Sequence, residues 1–361
     1  MADDENPINF GIMGCAEIAR KVSRAIHLAP NSILRAIASR SIEKAKRFAI
    51  KNSLPDDVKI YGSYDELLDD PCVDAVYMPL PTSLHLQWAV LAAQKKKHIL
   101  LEKPTALDVD QLDQILEACE SNGVQFMDGT MWYHHPRTAK MKALLSDSQI
   151  FGQLRFIHSS SSFAPSPEFF EKDIRVKMNL DGLGALGDAG WYCIAAILWA
   201  MDYHLPTTVT ALPAIARNSA GVILSCSASL NWDKHETIAT FYCSFLSHES
   251  MDLAISGSNG SLHINDFIIP YQENSGPFSV TSGAKFVDLH IGWNVKPEIV
   301  QVATELPQEA LMVQEFARLV KGIKISGSNP DGKWPGISRM TQLVIDAVKK
   351  SIDLGFISVS L

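Results

Sequence analysis

The first 130 residues alternate short, unbroken apolar runs with helical patterns, and that alternation restricts the fold more than any other feature. The runs are "INFGIM" at 8–13, "ILRAIA" at 33–38, "DAVYMP" at 74–79, "HILLE" at 98–102 and "VQFMD" at 124–128. Strands buried on both faces read as continuous apolar runs, whereas half-exposed strands alternate. Between the first two runs, "EIARKVSRAIHLA" places Ile18, Val22, Ile26 and Ala29 on one helical face. Ser41 is the expected N-cap of the next helix, Ser63-x-x-Glu66 spells a capping box, and Asp108 precedes a helix through 120. Strand and helix in strict alternation imply a five-stranded parallel sheet covered by helices on both faces.

The texture changes near "MDGTMWYHHP". Segments 154–163, 207–216, 221–230, 237–245, 251–257 and 260–266 alternate apolar and polar residues with turns between them, the pattern of an antiparallel sheet packed on one face. Helical patterns interrupt them at 136–145, 187–201, 308–322 and 338–353. The expected architecture is an α/β N-terminal domain over 1–130 with a doubly wound parallel sheet. An α+β C-terminal domain follows over 131–361, built on an open, mostly antiparallel sheet. The exposed face of that second sheet needs cover, and a homodimer is the expected solution.

Charge and composition exclude several functions. A net charge of -8 leaves no basic footprint for nucleic acid. No apolar run approaches the roughly 18 residues of a membrane span. The acidic, polar start "MADDENPINF" is unlike a secretory signal, so a cytoplasmic protein is expected. Six cysteines form no C-x-x-C pair and no zinc-like cluster, which points to a reduced chain with no metal site.

The turn after the first strand, "FGIMGCAEIARKV", sits where a dinucleotide fingerprint belongs. Gly14, Ala16 and Ala19 fill its three small-residue slots. Gly14 can make the tight turn, while Ala16 puts a methyl group where glycine is usual. The loop and first helical turn, Gly14, Cys15, Ala16, Glu17 and Ile18, are the expected pyrophosphate contacts. The second strand ends in "IASRSIEK", which supplies Ser39, Arg40, Ser41 and Lys44 with no acid before Glu43. A carboxylate there would repel a 2′-phosphate, whereas a guanidinium pairs with it, so NADP(H) is expected over NAD(H). Pro79, Leu80 and Pro81 end the third apolar run, and His85 opens the following helix, so these four are further cofactor-side candidates.

The run "HILLEKPTA" drives three apolar residues into Glu102, Lys103 and Pro104. In open α/β sheets the carboxyl edge faces the ligand crevice, so Lys103 is expected at the nicotinamide end, with Glu102 holding neighbouring polar groups. The competing reading is an ordinary ion pair at a strand end. Trp132, Tyr133 and His134 are candidates for a substrate wall, with junction packing as the alternative. Arg175 in "KDIRVKMN" is a candidate substrate contact.

The segments "GIMGCAEIA", "SRSIEKAKRFA", "PLPTSLHLQWAVLAAQKKKHILLEKP" and "GLGALGDAGWYCI" resemble the glucose–fructose oxidoreductase and inositol dehydrogenase family (Gfo/Idh/MocA), closest to its dihydrodiol and D-xylose dehydrogenase branch. That resemblance implies NAD(P)-linked oxidation of a sugar or diol carbon, with Lys103 of the E-K-P triplet in the active site. In "GDAGWYCI", Asp188 and Tyr192 are four apart and share a helical face. An ammonium near a phenol stabilises its anion. With the resemblance, Tyr192 becomes the expected acid/base, Lys103 its electrostatic partner, and Asp188 the residue that orients substrate or lysine. The alternative is a non-catalytic NADP(H)-binding regulatory protein on the same scaffold.

Overall fold

The computed structural model describes residues 6–288 and 292–361. The chain divides into two compact units, Met1–His134 with Leu306–Arg339, and His135–Glu305 with Met340–Leu361.

In the first unit, β1 (Ile8–Met13), α1 (Glu17–Leu28), β2 (Ser32–Ala38), α2 (Ile42–Lys51), β3 (Lys59–Tyr61) and α3 (Tyr64–Asp69) come first. They are followed by β4 (Ala75–Met78), α4 (His85–Gln94), β5 (His98–Leu101), α5 (Val109–Asn122) and β6 (Phe126–Asp128). The six strands form one parallel sheet in the order β3-β2-β1-β4-β5-β6. The sequence suggests five strands; the sixth, β3, is only "KIY", too short and too exposed to show a period. Winding runs outward from β1 in both directions, so the loops leaving β1 and β4 diverge and open a crevice at the carboxyl edge.

Local chemistry sets the helix starts. Side chains of Ser41, Ser63 and Asp108 accept the backbone N–H of Lys44, Glu66 and Gln111 at 3.3, 3.2 and 2.9 Å. Glu66 also accepts the N–H of Gly62 at 3.1 Å, closing the capping motif one residue early. On one face of the sheet, Leu67, Ala89, Ala92, Leu112 and Ile115 pack with Val76, Ile99 and Leu101 in a single buried cluster. On the other, α1 lies beside the helix Gln308–Ser326, and the Phe10 and Phe316 rings meet at 5.9 Å. The sequence reading leaves that helix with the second domain. Its stripe of Met312, Val313, Phe316, Ala317 and Val320 is buried in the first unit instead, because an apolar stripe does not say which sheet it will cover. Each large member of the stripe contributes about 1.5–3 kcal/mol.

The second unit comprises α6 (Pro136–Leu145), β7 (Leu154–Ser162), α7 (Pro167–Lys172), α8 (Met178–Asp181), α9 (Gly184–Ala200) and strands β8 to β18. The strands are β8 (Thr208–Ala211), β9 (Ala216–Arg217), β10 (Ile223–Trp232), β11 (Thr237–Ser244), β12 (Ser250–Gly257), β13 (Gly260–Ile264), β14 (Ser275–Ser282), β15 (Phe286–Asp288), β16 (Gly292–Trp293), β17 (Glu298–Ala303) and β18 (Val359–Ser360). Ten of them make one sheet ordered β17-β14-β13-β12-β7-β11-β10-β8-β18, with β9 on β10; β15 and β16 pair separately. The sheet is antiparallel except between β7 and β11, which run parallel and are joined by a long connection through α7 to α9 and then β8 to β10. Helix α9 is buried along almost its whole length against β7, β10 and β11. Its start is seated by Gly184, at φ +59°, where a Cβ would stand 2.1 Å from the Ile223 carbonyl oxygen. A buried ion pair, Arg137 Nη1 to Asp266 Oδ1 at 2.7 Å, ties α6 to the loop after β13. Among the described residues, no helix is long and apolar enough to cross a membrane.

Candidate active site

The first cluster lies along the carboxyl edge of the parallel sheet. β1 hands over to α1 through Gly14, at φ +121°, where a Cβ would come within 3.1 Å of Leu80 Cδ2 and 3.3 Å of the Pro79 carbonyl oxygen. Only glycine fits so close to the loop that follows β4. Ala16 is the N-cap of α1, and no side chain caps that turn, which leaves its first N–H groups for an anion. Ile18 is half-buried. The Glu17 carboxylate turns outward onto Arg20 at 3.0 Å and Lys51 at 3.9 Å.

The ends of β1 and β2 share a polar group of side chains. Burial pushes the Cys15 thiol up, while the Lys44 ammonium and a hydrogen bond with Ser39 act against that shift. Ser39, Ser41 and Lys44 therefore gather at one turn with Cys15, and Arg40 is exposed beside them.

The β4 loop is held from behind. The His85 ring is 1 % exposed, with Nδ1 at 3.1 Å from the Thr105 carbonyl oxygen and Nε2 at 2.9 Å from that of Leu80. The imidazole thus ties the loop after β4 to the loop after β5. Its ring is buried between the Leu80 and Thr105 carbonyls, a positioning place and not a surface one.

Glu102, Lys103 and Pro104 leave β5 through a cis Lys103–Pro104 bond. The Glu102 carboxyl accepts from Tyr77 Oη at 2.5 Å and from the Lys103 backbone N–H at 3.2 Å. Burial pushes its pKa up, opposed by the Tyr77 bond and the Lys103 charge. Gly129 presses on it, since a Cβ there would meet Glu102 Oε1 at 2.9 Å. One residue earlier, burial also raises Asp128, whose carboxyl accepts from Thr130 N at 2.9 Å and from Ser338 Oγ. Tyr77, Asp128, Gly129 and Ser338 are absent from the sequence reading. Tyr77 is the one with a signal, a phenol inside an otherwise apolar buried strand.

Tyr133 and His134 go elsewhere in the first unit. They line a cavity of about 430 Å³ with Leu311, Gln314 and Trp334. His134 stacks on Trp334 at 4.8 Å, and burial pushes its pKa down to about 3. Trp132 is 1 % exposed and packs on Tyr133 at 4.5 Å. The three rings form one aromatic group with Trp334.

The second cluster belongs to the second unit. Asp188 and Tyr192 stand one turn apart on α9. Asp188 Oδ2 pairs with Arg175 Nε at 3.2 Å, and Arg175 Nη1 also reaches Asp173 Oδ1 at 3.1 Å. The Asp188 charge raises the Arg175 pKa, burial opposes, and Asp173 adds to the rise. The sequence reading expects Asp188 to orient substrate or Lys103; its carboxylate engages Arg175. Asp173, which also accepts the Arg175 N–H at 2.9 Å, is a further residue the sequence did not suggest.

A doubly wound sheet with a glycine turn at its switch point and an uncapped helix behind it is the arrangement of a dinucleotide-binding fold. Residues 8–130 match the family model described as "Oxidoreductase family, NAD-binding Rossmann fold" (GFO_IDH_MocA), and residues 138–263 match its C-terminal domain model. The chain belongs to this family. It is 32% identical to a D-xylose 1-dehydrogenase (NADP(+)) of Haloferax volcanii, over 71% of this chain and 75% of that protein. It is 36% identical to a dTDP-3,4-didehydro-2,6-dideoxy-alpha-D-glucose 3-reductase of Actinomadura kijaniata, over 53% of this chain and 55% of the reductase. Among solved structures, a 3-ketoreductase from Actinomadura kijaniata in complex with TDP-benzene and NADP superposes with a TM-score of 0.78 at 26% identity. That match covers 95% of this chain and 97% of the other.

Proposed function

We propose that the protein transfers hydride between NADP(H) and a hydroxyl or carbonyl carbon of a sugar or vicinal diol. One observation carries this reading: at the switch point, Gly14, the uncapped start of α1 and the turn Ser39–Lys44 sit together, with no carboxylate at the end of β2. The donor set fits the group. The N–H groups of α1 suit a pyrophosphate, and Ser39, Arg40, Ser41 and Lys44 suit a 2′-phosphate. The NADP complex of the solved ketoreductase and the NADP(+)-dependent xylose dehydrogenase support the same choice.

Bound NADP+ supplies the hydride acceptor. Every other role falls to this chain. Tyr192 Oη takes the substrate hydroxyl proton as hydride leaves the same carbon, and returns it in the reductive direction. The Lys103 ammonium stabilises the developing alkoxide and the phenolate. Glu102, gripped by Tyr77 and the Lys103 N–H, fixes the loop that carries the lysine. Arg175, its charge balanced by Asp173 and Asp188, is the substrate-side donor.

The proposal includes a homodimer. The second sheet's open face carries Ser227, Ser229, Thr240, His158 and Asp252, with the paired Phe156 and Ile238 exposed among them. Sedimentation at micromolar protein should give twice the chain mass; a monomer removes this part. For the activity, titration of nicotinamide fluorescence with NADPH and NADH, then a screen of pentoses, hexoses and diols, should show preferential NADPH binding and turnover of at least one polyol. NADPH binding without turnover across the screen would favour a regulatory role.

A further inference from the structure

The cavity beside His134, about 430 Å³ in volume, shares no residue with the cofactor-side turns. Asn31, on one wall, directly precedes β2. Lys333 and Trp334, on another, follow Asp331, whose backbone is clamped by the Gln125 side chain just ahead of β6. Asp331 N donates to Gln125 Oε1 at 2.7 Å, and Gln125 Nε2 donates to the Asp331 carbonyl at 3.2 Å. Both anchors stand at the amino edge of the parallel sheet, whereas Gly14 and Lys103 leave its carboxyl edge. A cavity of this size, largely apolar with a few convergent polar groups, has the build of a small-molecule site.

Leu311 and the packed rings supply the apolar wall: His134 stacks on Trp334, and Lys333 Nζ lies 4.7 Å from the Trp334 ring centroid. Two buried polar atoms are left over. His134 Nε2 and Asn31 Oδ1 meet no hydrogen-bond partner among the described residues, although buried polar atoms are normally paired. Asn31 Nδ2 donates to the Gln314 carbonyl at 2.9 Å, so Oδ1 is the amide atom that remains, and it needs a donor. Burial keeps His134 neutral, and a hydroxyl can serve Nε2 in either tautomer.

The rim is charged but balanced. Glu315 takes Arg318 Nε at 2.7 Å and Nη2 at 2.9 Å, which leaves the Nη1 hydrogens to donate elsewhere. Lys333 adds an ammonium, and the Asp331 carboxylate accepts its backbone N–H at 2.9 Å. Two cations therefore face two carboxylates.

We propose that this cavity is a second small-molecule site, apart from the cofactor crevice, and that it takes a neutral polyhydroxylated ligand of the sugar or cyclitol class. Ligand hydroxyls donate to Asn31 Oδ1, pair with His134 Nε2 and accept from Arg318 Nη1 and the Lys333 ammonium, while C–H groups pack on Leu311. An anion finds no net positive charge there, and an aromatic ligand leaves both buried polar atoms unpaired. The inference does not depend on which carbon the enzyme oxidises.

The test reads the indole N–H signal of Trp334 in a proton–nitrogen correlation spectrum of the full-length protein, identified by its loss in Trp334→Phe. D-xylose, D-glucose and myo-inositol are titrated against it, with D-gluconate as the anionic probe and benzoate as the aromatic one. At least one neutral polyol should shift the signal saturably, and gluconate and benzoate should bind more weakly than that polyol. Lys333→Met and Asn31→Leu should each weaken the polyol at least about fivefold. Lys103→Met, at the other edge of the sheet, should leave its affinity within about twofold of wild type. Melting temperature checks that each variant is folded, and the exposed Lys333 carries the comparison if Asn31→Leu does not fold. A signal that no neutral polyol moves at up to about 100 mM overturns the proposal. Tighter binding of gluconate or benzoate, or an unchanged affinity in Lys333→Met, overturns it too. An affinity lost in Lys103→Met would put the polyol in the cofactor crevice and not here.

Discussion

Gly129→Ala tests the support beneath Lys103. A Cβ at this position would stand 2.9 Å from Glu102 Oε1, 3.1 Å from Cδ and 3.2 Å from Oε2. Glu102 cannot swing aside freely, because Tyr77 Oη holds one oxygen at 2.5 Å and the Lys103 N–H holds the other at 3.2 Å. Overpacking of this kind costs about 1–3 kcal/mol. At roughly 2–4 °C per kcal/mol for a unit of this size, the melting point should fall by about 2–12 °C. The carboxyl must also shift by several tenths of an ångström, and Lys103 shifts with it, so kcat/KM should drop about tenfold or more. Gly123→Ala is the control. That residue caps α5 at φ +66° with nothing within 4 Å of a new Cβ, so it should lose about 1 kcal/mol from backbone strain alone. Its kcat/KM should stay at the wild-type value. Scanning calorimetry and steady-state kinetics read both effects. A Gly129→Ala protein as stable and as active as wild type would refute the claim that Glu102 braces the lysine loop.

Stability should also fall on acidification. Burial pushes His98 from 6.5 down to about 4, and its Nδ1 must stay unprotonated to accept the Gln125 N–H at 3.0 Å. The unfolded chain takes up that proton first, so the contribution is intact above about pH 6.5 and is lost between there and pH 4, up to about 3 kcal/mol. Urea unfolding at pH 7, 5 and 4 should show the loss, and His98→Gln should flatten it; an unchanged slope would contradict the assignment. Asp266→Ala leaves Arg137 buried without its carboxylate and should cost about 3–5 kcal/mol in urea unfolding. Arg40→Ala should weaken NADPH about tenfold more than NADH, and an equal loss for both would show that the turn reads no 2′-phosphate.

The parallel sheet was legible because its strands are buried on both faces, so "AVYM" and "HILL" need no alternation to be recognised. β3 was not, at three residues on the sheet's edge. The N-caps Ser41, Ser63 and Asp108 were legible because capping is decided within four residues. The place of Gln308–Ser326 beside α1 was not, since it depends on a contact across nearly 300 residues of chain. The same distinction runs through the site. Gly14 and the turn at Arg40 announce themselves by position after a strand. Asp188 does not announce Arg175, and Glu102 does not announce Tyr77, because those partners are chosen by folding and not by spacing. Tyr133 and His134, conspicuous in sequence, spend their rings on Trp334.

The account stands on Lys103 and Tyr192 serving one chemical step. Steady-state kinetics on Lys103→Met, Tyr192→Phe and the double variant, with a substrate found in the polyol screen, tests this directly. Each single change should lower kcat by at least about tenfold while NADPH affinity stays near wild type, and the double should be little worse than the poorer single. Losses that multiply, or a Tyr192→Phe enzyme with full turnover, would show that the two groups do not act together.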